Sequence, residues 1–352
     1  MGKKEEGIRI MERLLHTTLK GMLEFFRFFE RKPDLCVQNY GYVSKRTAFG
    51  VNQTLFESKY PGLKLPPYDT SNLGASIALA WATYVWEKTR GIYRFDSEFM
   101  EELIKSDLEY PIPSEVLKRL PEPCTLIRLP DGFYQEGFQY VFLIQDETPY
   151  GRQLVLVFQD GEEEAPEDWD TSYMTIPLDQ KWVDEKDVGA LNSRVENPAG
   201  DYEPPVEGII LPGRTEPVRD AREITAYHHR LAQKILPLAI YLGSYQPDIE
   251  RVTTDHALKN DPGRPIKHEV GKNVALLMRK TKKEYASKEE RAGEGGSKKA
   301  PHYRRPHFRM QLYGKRPAPG EQDQRYHRVT WVSGAFIHNG EGKIPIRNRI
   351  VT

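Results

Sequence analysis

The chain has 352 residues, of which 38% are hydrophobic and 11% aromatic, and its basic and acidic side chains are equal in number. This length predicts two or three folded units with at least one sizeable core. No run of about 18 apolar residues is present, which excludes a helical membrane span, and the mixed charges of the first 20 residues argue against a secretory signal.

The zero net charge hides a strong asymmetry along the chain. Residues 256–352 contain 22 Lys and Arg against 9 Asp and Glu, whereas residues 131–203 contain 18 acids against 4 bases. An acidic middle and a basic end can pair within the molecule, or the basic end can bind an external polyanion. The charge pattern leaves both interpretations open.

The first 120 residues predict a helical domain. Apolar residues recur at three- and four-residue steps from Glu5 to about Lys32, where Pro33 ends the pattern. A second helix follows in SNLGASIALAWATYVWEKTRG, residues 71–91, with Gly91 as its stop signal. The segment from Ile92 begins extended and becomes a third helix after Asp96 or Ser97.

Residues 121–215 predict an antiparallel sheet domain. From Thr125 onward, short segments rich in β-branched and aromatic residues alternate with turn sequences such as ETPYG. The acidic run between Glu162 and Asp170 lacks the alternating spacing of a calcium loop, so we expect a solvated turn there.

A packing helix is predicted over residues 216–250, with a kink or restart at Pro237. His228 and His229 are adjacent, about 100° apart on a helix, and are expected to be structural rather than metal ligands. Residues 251–300 are predicted to be a charged flexible linker, because hydrophobicity falls while charge, Gly and Ser rise. The predicted fold class is therefore α+β, with a helical N-terminal domain, a central antiparallel β-sheet, a packing helix and a basic C-terminal β-hairpin.

The hairpin is predicted in residues 301–352, which begin PHYRRPHFRM, and we expect it to join the sheet. Alternate residues of an extended strand share a face. If the strand around His307 pairs with the strand around His327, histidines and arginines from both strands can lie side by side.

Three functions compete for this basic segment. A metal-free ribonuclease could use two of His302, His307 and His327 as general base and acid. An RNA- or partner-binding surface would use arginines for phosphates and aromatic rings for base stacking. Its candidate residues are Arg304, Arg305, His307, Arg309, Tyr313, Arg325, Arg328 and Trp331. In the third interpretation the hairpin completes the acidic sheet, and its arginines pair with Asp and Glu.

Cofactor chemistry has little support in the sequence. Cys36 and Cys124 are far apart and match no metal-ligand spacing, so we expect buried thiols in a reducing, cytoplasmic compartment. The sequence contains no P-loop, no GxSxG elbow and no HExxH motif. We therefore expect no small-molecule cofactor, no metal and no membrane partner.

Several segments together resemble a known family. They are RRPHFRMQLYG followed by YHRVTWVSGAFIHNG, and, earlier in the chain, TRGIYRFDSEFM, RLPEPCTLI and KILPLAIYLGSYQPDI. These segments resemble a phage- and plasmid-borne family that includes the type V-A anti-CRISPR protein blocking biogenesis of the Cas nuclease. The residues that match its C-terminal pattern are Arg305, Pro306, His307, Arg309, Gly314, Arg328 and Trp331.

The resemblance implies a repressor rather than an enzyme acting on a small molecule. Its expected partner is the nascent N-terminal peptide of a target protein, either the type V-A Cas nuclease or a related protein. Recognition would lead to loss of the target mRNA, with the ribosome or the mRNA as a second partner of the basic segment.

Overall fold

The fold is described from a computed structural model that covers residues 20–32, 36–37, 41–45, 47–48, 72–106, 108, 110–148, 151–160, 171–188, 221–252, 265–289, 302–304, 307–316, 325–332 and 335–337. The helices are α1 (Lys20–Phe29), α2 (Asn72–Thr89), α3 (Ser97–Ile104), α4 (Ser114–Leu117), α5 (Ala221–Leu242) and α6 (Lys272–Glu289). None of these helices combines the length and the apolar composition needed to cross a bilayer.

Within these residues the strands form one large sheet and three small ones. They are β1 (Gly91–Phe95), β2 (Ile112–Pro113), β3 (Cys124–Arg128), β4 (Tyr140–Thr148), β5 (Gly151–Gln159), β6 (Thr171–Pro177), β7 (Trp182–Val183), β8 (Ile249–Arg251), β9 (Ile266–Val270), β10 (His302–Arg304), β11 (His307–Tyr313), β12 (Tyr326–Val332) and β13 (Ala335–Ile337). The large sheet has the order β6-β5-β4-β3-β1-β9-β8. The α+β class is confirmed.

The sheet is mixed, which corrects the expectation of an antiparallel sheet. β1 pairs in parallel with both β3 and β9, while the other neighbours are antiparallel. The helices α3 and α4 lie between β1 and β3 in sequence, so the chain crosses over before it returns to the sheet. The sequence pattern predicted the positions of β3 to β6, but it did not show that β1 runs parallel to β3.

The transition from β1 to α3 follows the sequence closely. Asp96 ends the strand and caps the helix, because its side chain accepts hydrogen bonds from the backbone N–H groups of Glu98 and Phe99 at 3.1 and 3.2 Å. The carboxylate also pairs with Arg279 of α6 at 2.7 Å. This one acidic residue therefore fixes a local boundary and holds a distant helix.

Residues 251–300 differ from the flexible linker that was predicted. They include β9, which lies inside the large sheet, and α6, an 18-residue helix. Val274, Ala275 and Met278 of α6 are buried in the core, although the helix carries many lysines. A narrow apolar stripe is enough to dock a helix whose average composition is strongly polar.

The buried apolar residues in the described part of the chain form two hydrophobic cores on opposite faces of the sheet. Helix α2 covers one face, where Trp81, Tyr84 and Trp86 are buried. On the other face, α3, α5 and the hairpin strand β12 pack together. Helix α5 continues through Pro237 as a single 22-residue helix. It therefore does not restart at the proline.

The predicted C-terminal hairpin exists but does not join the large sheet. Strands β11 and β12 form a separate two-stranded antiparallel sheet, and β10 pairs with β13 in another. The hairpin is attached through its side chains, since Val329 and Trp331 reach the core between α3 and α5. The predicted acidic turn at 162–170 and the first helix before Lys20 lie outside the described residues.

His228 is structural, as its position in α5 suggests. It is buried, and its Nε2 lies 3.4 Å from the Ser172 hydroxyl of β6. Burial lowers its pKa from 6.5 to about 4. The unfolded chain therefore binds a proton more readily than the folded chain between these pH values.

We expect His228 to make the free energy of unfolding depend on pH. Its contribution is full above pH 6.5 and is lost as the pH falls towards 4, by up to about 3 kcal/mol. The half-buried Glu122, with its pKa raised to about 7, has the opposite sign, so the pH dependence of the total free energy of unfolding combines both effects. Denaturant melts of wild type and His228→Gln across pH 4–8 isolate the histidine. A stability difference that stays constant with pH would contradict the assignment.

Candidate functional site

The basic hairpin has two distinct faces, set by the pairing of β11 with β12. Phe308 lies opposite Trp331 and Met310 lies opposite Val329, on the face that meets the core. Arg309 lies opposite Thr330 on the other face. We call the first the inner face and the second, which also carries His307, Gln311, Tyr313, Tyr326, Arg328 and Val332, the outer face.

The inner face anchors the hairpin. Trp331 is 3% exposed and packs edge-on against Phe99, with ring centroids 5.0 Å apart. Its indole N–H donates to the Ser106 hydroxyl at 3.2 Å. The sequence assigned Trp331 to a binding surface, whereas the structure places it in the core, where its ring is inaccessible to a base.

The outer face carries an arginine stacked between tyrosines. The Arg328 guanidinium carbon lies 3.7 Å from the ring centroid of Tyr245 and 3.9 Å from that of Tyr313. Its Nη2 donates to the Tyr326 hydroxyl at 3.2 Å. Tyr245 and Tyr326 are 46% and 42% exposed. The sequence predicted Tyr313 and Arg328, and the structure brings them together.

Cations dominate this surface. Residues 307–316 and 325–332 contain five Arg and Lys and no Asp or Glu. Among the described residues, no carboxylate forms an ion pair with Arg309, Lys315, Arg316 or Arg328, in contrast to Arg279 of α6. The interpretation in which the hairpin arginines neutralise the acidic sheet therefore gains no support at these positions.

The histidines proposed for a ribonuclease are not brought together. His307 is on the outer face opposite Val332, whereas His327 is on the inner face, with its ring 4.8 Å from that of Trp182. General acid and base must reach the same phosphodiester, so this pair is poorly arranged for RNA cleavage. His302 lies in β10, opposite Ile337, and its side chain is outside the described part of the structure.

Of the three remaining predicted arginines, two lie at the edge of the described region and one falls outside it. Arg304 is the last residue of β10 and pairs with Ala335, whereas Arg305 falls outside the described residues. Arg325 immediately precedes β12, where its side chain is partly buried against Gly314. On β11 and β12 the structure thus places the predicted residues His307, Arg309, Tyr313 and Arg328 on one face and Trp331 on the other.

A small apolar cleft opens beside the inner face. It has a volume of about 20 Å³ and is lined by Leu108, Ile112, Ile240, Phe308 and Met310, among others. Met310 is 38% exposed at its rim. The hairpin therefore joins two kinds of surface, one apolar and one cationic.

No group of three or more His, Cys, Asp and Glu in the described residues is arranged to hold a metal ion.

A buried titratable residue, Asp146, lies outside the hairpin. Asp146 is 2% exposed, and burial raises its pKa to about 6 although it accepts from the Lys45 backbone N–H. It lies on β4, remote in sequence from the hairpin.

A family model for the AcrVA2-like proteins, the anti-CRISPR type V subtype A2 family, matches residues 93–338. The chain belongs to this family. The match includes most of the large sheet, α5 and both strands of the hairpin. A search of curated protein sequences found no match.

Among solved structures, the AcrVA2-like chain is similar to one described as the crystal structure of AcrVA2. The TM-score is 0.55 at 16% sequence identity, and the alignment covers 95% of this chain and 99% of that chain. At this identity the likeness shows a shared fold.

One residue beside the outer face of the hairpin was not predicted from the sequence of this AcrVA2-like protein. Tyr245 belongs to the loop after α5, far from the hairpin in sequence, and its backbone N–H donates to the Val329 carbonyl at 3.1 Å. An exposed tyrosine in the segment LGSYQPDI carries no local signal for a partner on another element. Only the tertiary structure places it against Arg328.

Proposed function

We propose that this protein is a translation-coupled anti-CRISPR repressor. It recognises the nascent N-terminal peptide of a target protein, the type V-A Cas nuclease or a related one, and promotes loss of the mRNA being translated. The action takes place in the cytoplasm, where the nascent chain and its transcript are together.

The observation that carries the proposal is the family match over residues 93–338. Two surfaces of the hairpin support it. The apolar residues at the rim of the cleft, with Met310 38% exposed, offer an apolar surface on which an extended peptide can lie. The outer face offers Arg309 and Arg328, which form no ion pair with a carboxylate among the described residues, to a polyanion such as ribosomal RNA or the transcript.

Ribosome profiling with matched mRNA abundance tests the function. In cells that express the wild-type protein, we expect selective loss of one or a few transcripts that share a leader peptide. The double variant His307→Ala with Arg309→Ala should restore most of their abundance, because it removes charge from the outer face. The matched control, Lys280→Ala with Lys283→Ala, alters two exposed residues of α6 and should deplete the same transcripts as wild type.

Peptide recognition is measured separately. The purified wild-type protein should be retained by an immobilised leader peptide of a depleted transcript and not by its scrambled version. Met310→Asp should reduce retention about tenfold, since a charge at the rim of the cleft disfavours an apolar side chain. Broad cleavage of many transcripts, or equal retention by both peptides, would overturn the proposal.

A further inference from the structure

Tyr245 is an exposed aromatic ring held in a fixed position. Its backbone N–H donates to the Val329 carbonyl at 3.1 Å, and one face of its ring lies against Arg328 at 3.7 Å. The side chain is nevertheless 46% exposed. An exposed ring ordinarily loses rotamer freedom when a ligand stacks on it, and here that freedom is already restricted.

The stack continues across the outer face of the hairpin. Arg328 also covers Tyr313 at 3.9 Å, and Tyr326 follows with its ring centroid 6.5 Å from that of Tyr313. Arg119 of the loop after α4 lies 5.6 Å from the Tyr326 centroid. Three tyrosine rings and two guanidinium groups therefore adjoin one another on a surface assembled from three parts of the chain.

The charge around this stack favours an anionic ligand. Arg309, Lys315 and Arg316 are exposed and form no ion pair with a carboxylate among the described residues. Phosphate groups bind such cations with release of counterions, and each nucleobase presents a flat face that stacks on tyrosine or arginine. In a duplex these faces are covered by neighbouring base pairs, so a stacking surface selects single strands.

We propose that Tyr245, Arg328 and Tyr313 form the stacking platform of a single-stranded RNA-binding surface on the outer face of the hairpin. A base stacks on the open side of Tyr245, Arg328 holds the ring in place, and Arg309, Lys315 and Arg316 bind the flanking phosphates. The inference rests on the proposed function, because it names the surface through which the protein contacts the transcript.

The test is fluorescence anisotropy of a labelled 12-nucleotide single-stranded RNA of mixed sequence with the full-length protein at several salt concentrations. Tyr245→Ala should weaken binding by about tenfold and leave the salt dependence unchanged, because it removes stacking and no charge. Tyr245→Phe should bind as wild type does. Arg309→Ala should make the slope of log K against log salt shallower by about 0.7, the value for one phosphate contact.

Matched controls exclude general effects on folding. Phe28→Ala removes an exposed aromatic ring of α1, and Lys280→Ala removes an exposed charge of α6, so both should bind RNA as wild type does. Thermal melts confirm that each variant is folded. Equal binding to the same RNA annealed to its complement, equal binding by Tyr245→Ala, or preference for an acidic peptide over RNA would each overturn the inference.

The outcome is separable from that of the proposed function. If transcripts are depleted in cells while purified protein binds no single-stranded RNA, the platform is refuted and the repressor function stands. If the RNA binds through Tyr245 but no transcript is depleted, the repressor function is refuted and the platform stands.

Discussion

Replacing Trp331 with alanine is expected to destabilise the protein by about 3–5 kcal/mol, the usual range for a buried tryptophan. The ring is 3% exposed and packs against both Phe99 and Tyr241, with centroids 5.0 and 6.3 Å away. Removing it leaves a cavity at the point where the hairpin meets α3 and α5. Denaturant unfolding at neutral pH measures the loss.

The conservative variant separates packing from hydrogen bonding. Trp331→Phe retains an aromatic ring but loses the indole N–H that donates to Ser106 at 3.2 Å. It should cost about 1–2 kcal/mol, since the Ser106 hydroxyl still donates to the Glu102 carbonyl at 2.9 Å. If Trp331→Ala were as stable as wild type while RNA binding was lost, the ring would belong to a binding surface instead of the core.

Gly271→Ala is the second substitution with a large expected effect, about 2–4 kcal/mol. Gly271 joins β9 to α6 with φ at 75°, a backbone conformation that favours glycine. A Cβ at this position would overlap the ring of Phe99, which is fully buried against Trp331. The alanine therefore adds backbone strain and displaces a ring in the same aromatic cluster.

Gly132 provides the matched control, because its φ of 74° is almost the same and a Cβ there would meet no atom within 4 Å. Gly132→Ala should cost only the backbone strain, about 1–2 kcal/mol. The difference between the two variants in free energy of unfolding measures the clash with Phe99. Combining Gly271→Ala with Phe99→Leu should recover part of that difference. An equal loss of stability in Gly271→Ala and Gly132→Ala would contradict the predicted clash with Phe99.

Local signals in the sequence predicted elements well where the chain itself carries the reason. Asp96 marks the boundary between β1 and α3 because its carboxylate caps the helix, and short segments rich in β-branched and aromatic residues mark β3 to β6. The pairing of β11 with β12 was likewise visible as two basic, aromatic strands around a loop. The helix cap and the strand segments depend on neighbours within a few residues, and the pairing of β11 with β12 joins strands separated by a single loop.

The features that were missed depend on contacts between distant residues. Helix α6 resembles a linker in composition, yet three buried residues dock it. Trp331 is aromatic in a basic strand, which suggests stacking, but its face of the strand points into the core. Tyr245 contacts Arg328 only because the loop after α5 is hydrogen-bonded to β12. Whether a side chain is buried, and towards which side of the strand or loop it points, is decided only in the assembled fold.

The place of β9 in the sheet has a consequence for how the protein is made. Strand β1 is paired along its whole length by β9, which follows it by about half the chain, and β8 is attached to the sheet through β9. During synthesis β1 therefore keeps an open hydrogen-bonding edge until residue 270 has left the ribosome. Open strand edges pair with other chains, so the solubility of the newly synthesised protein depends on β9, a segment from the last third of the chain.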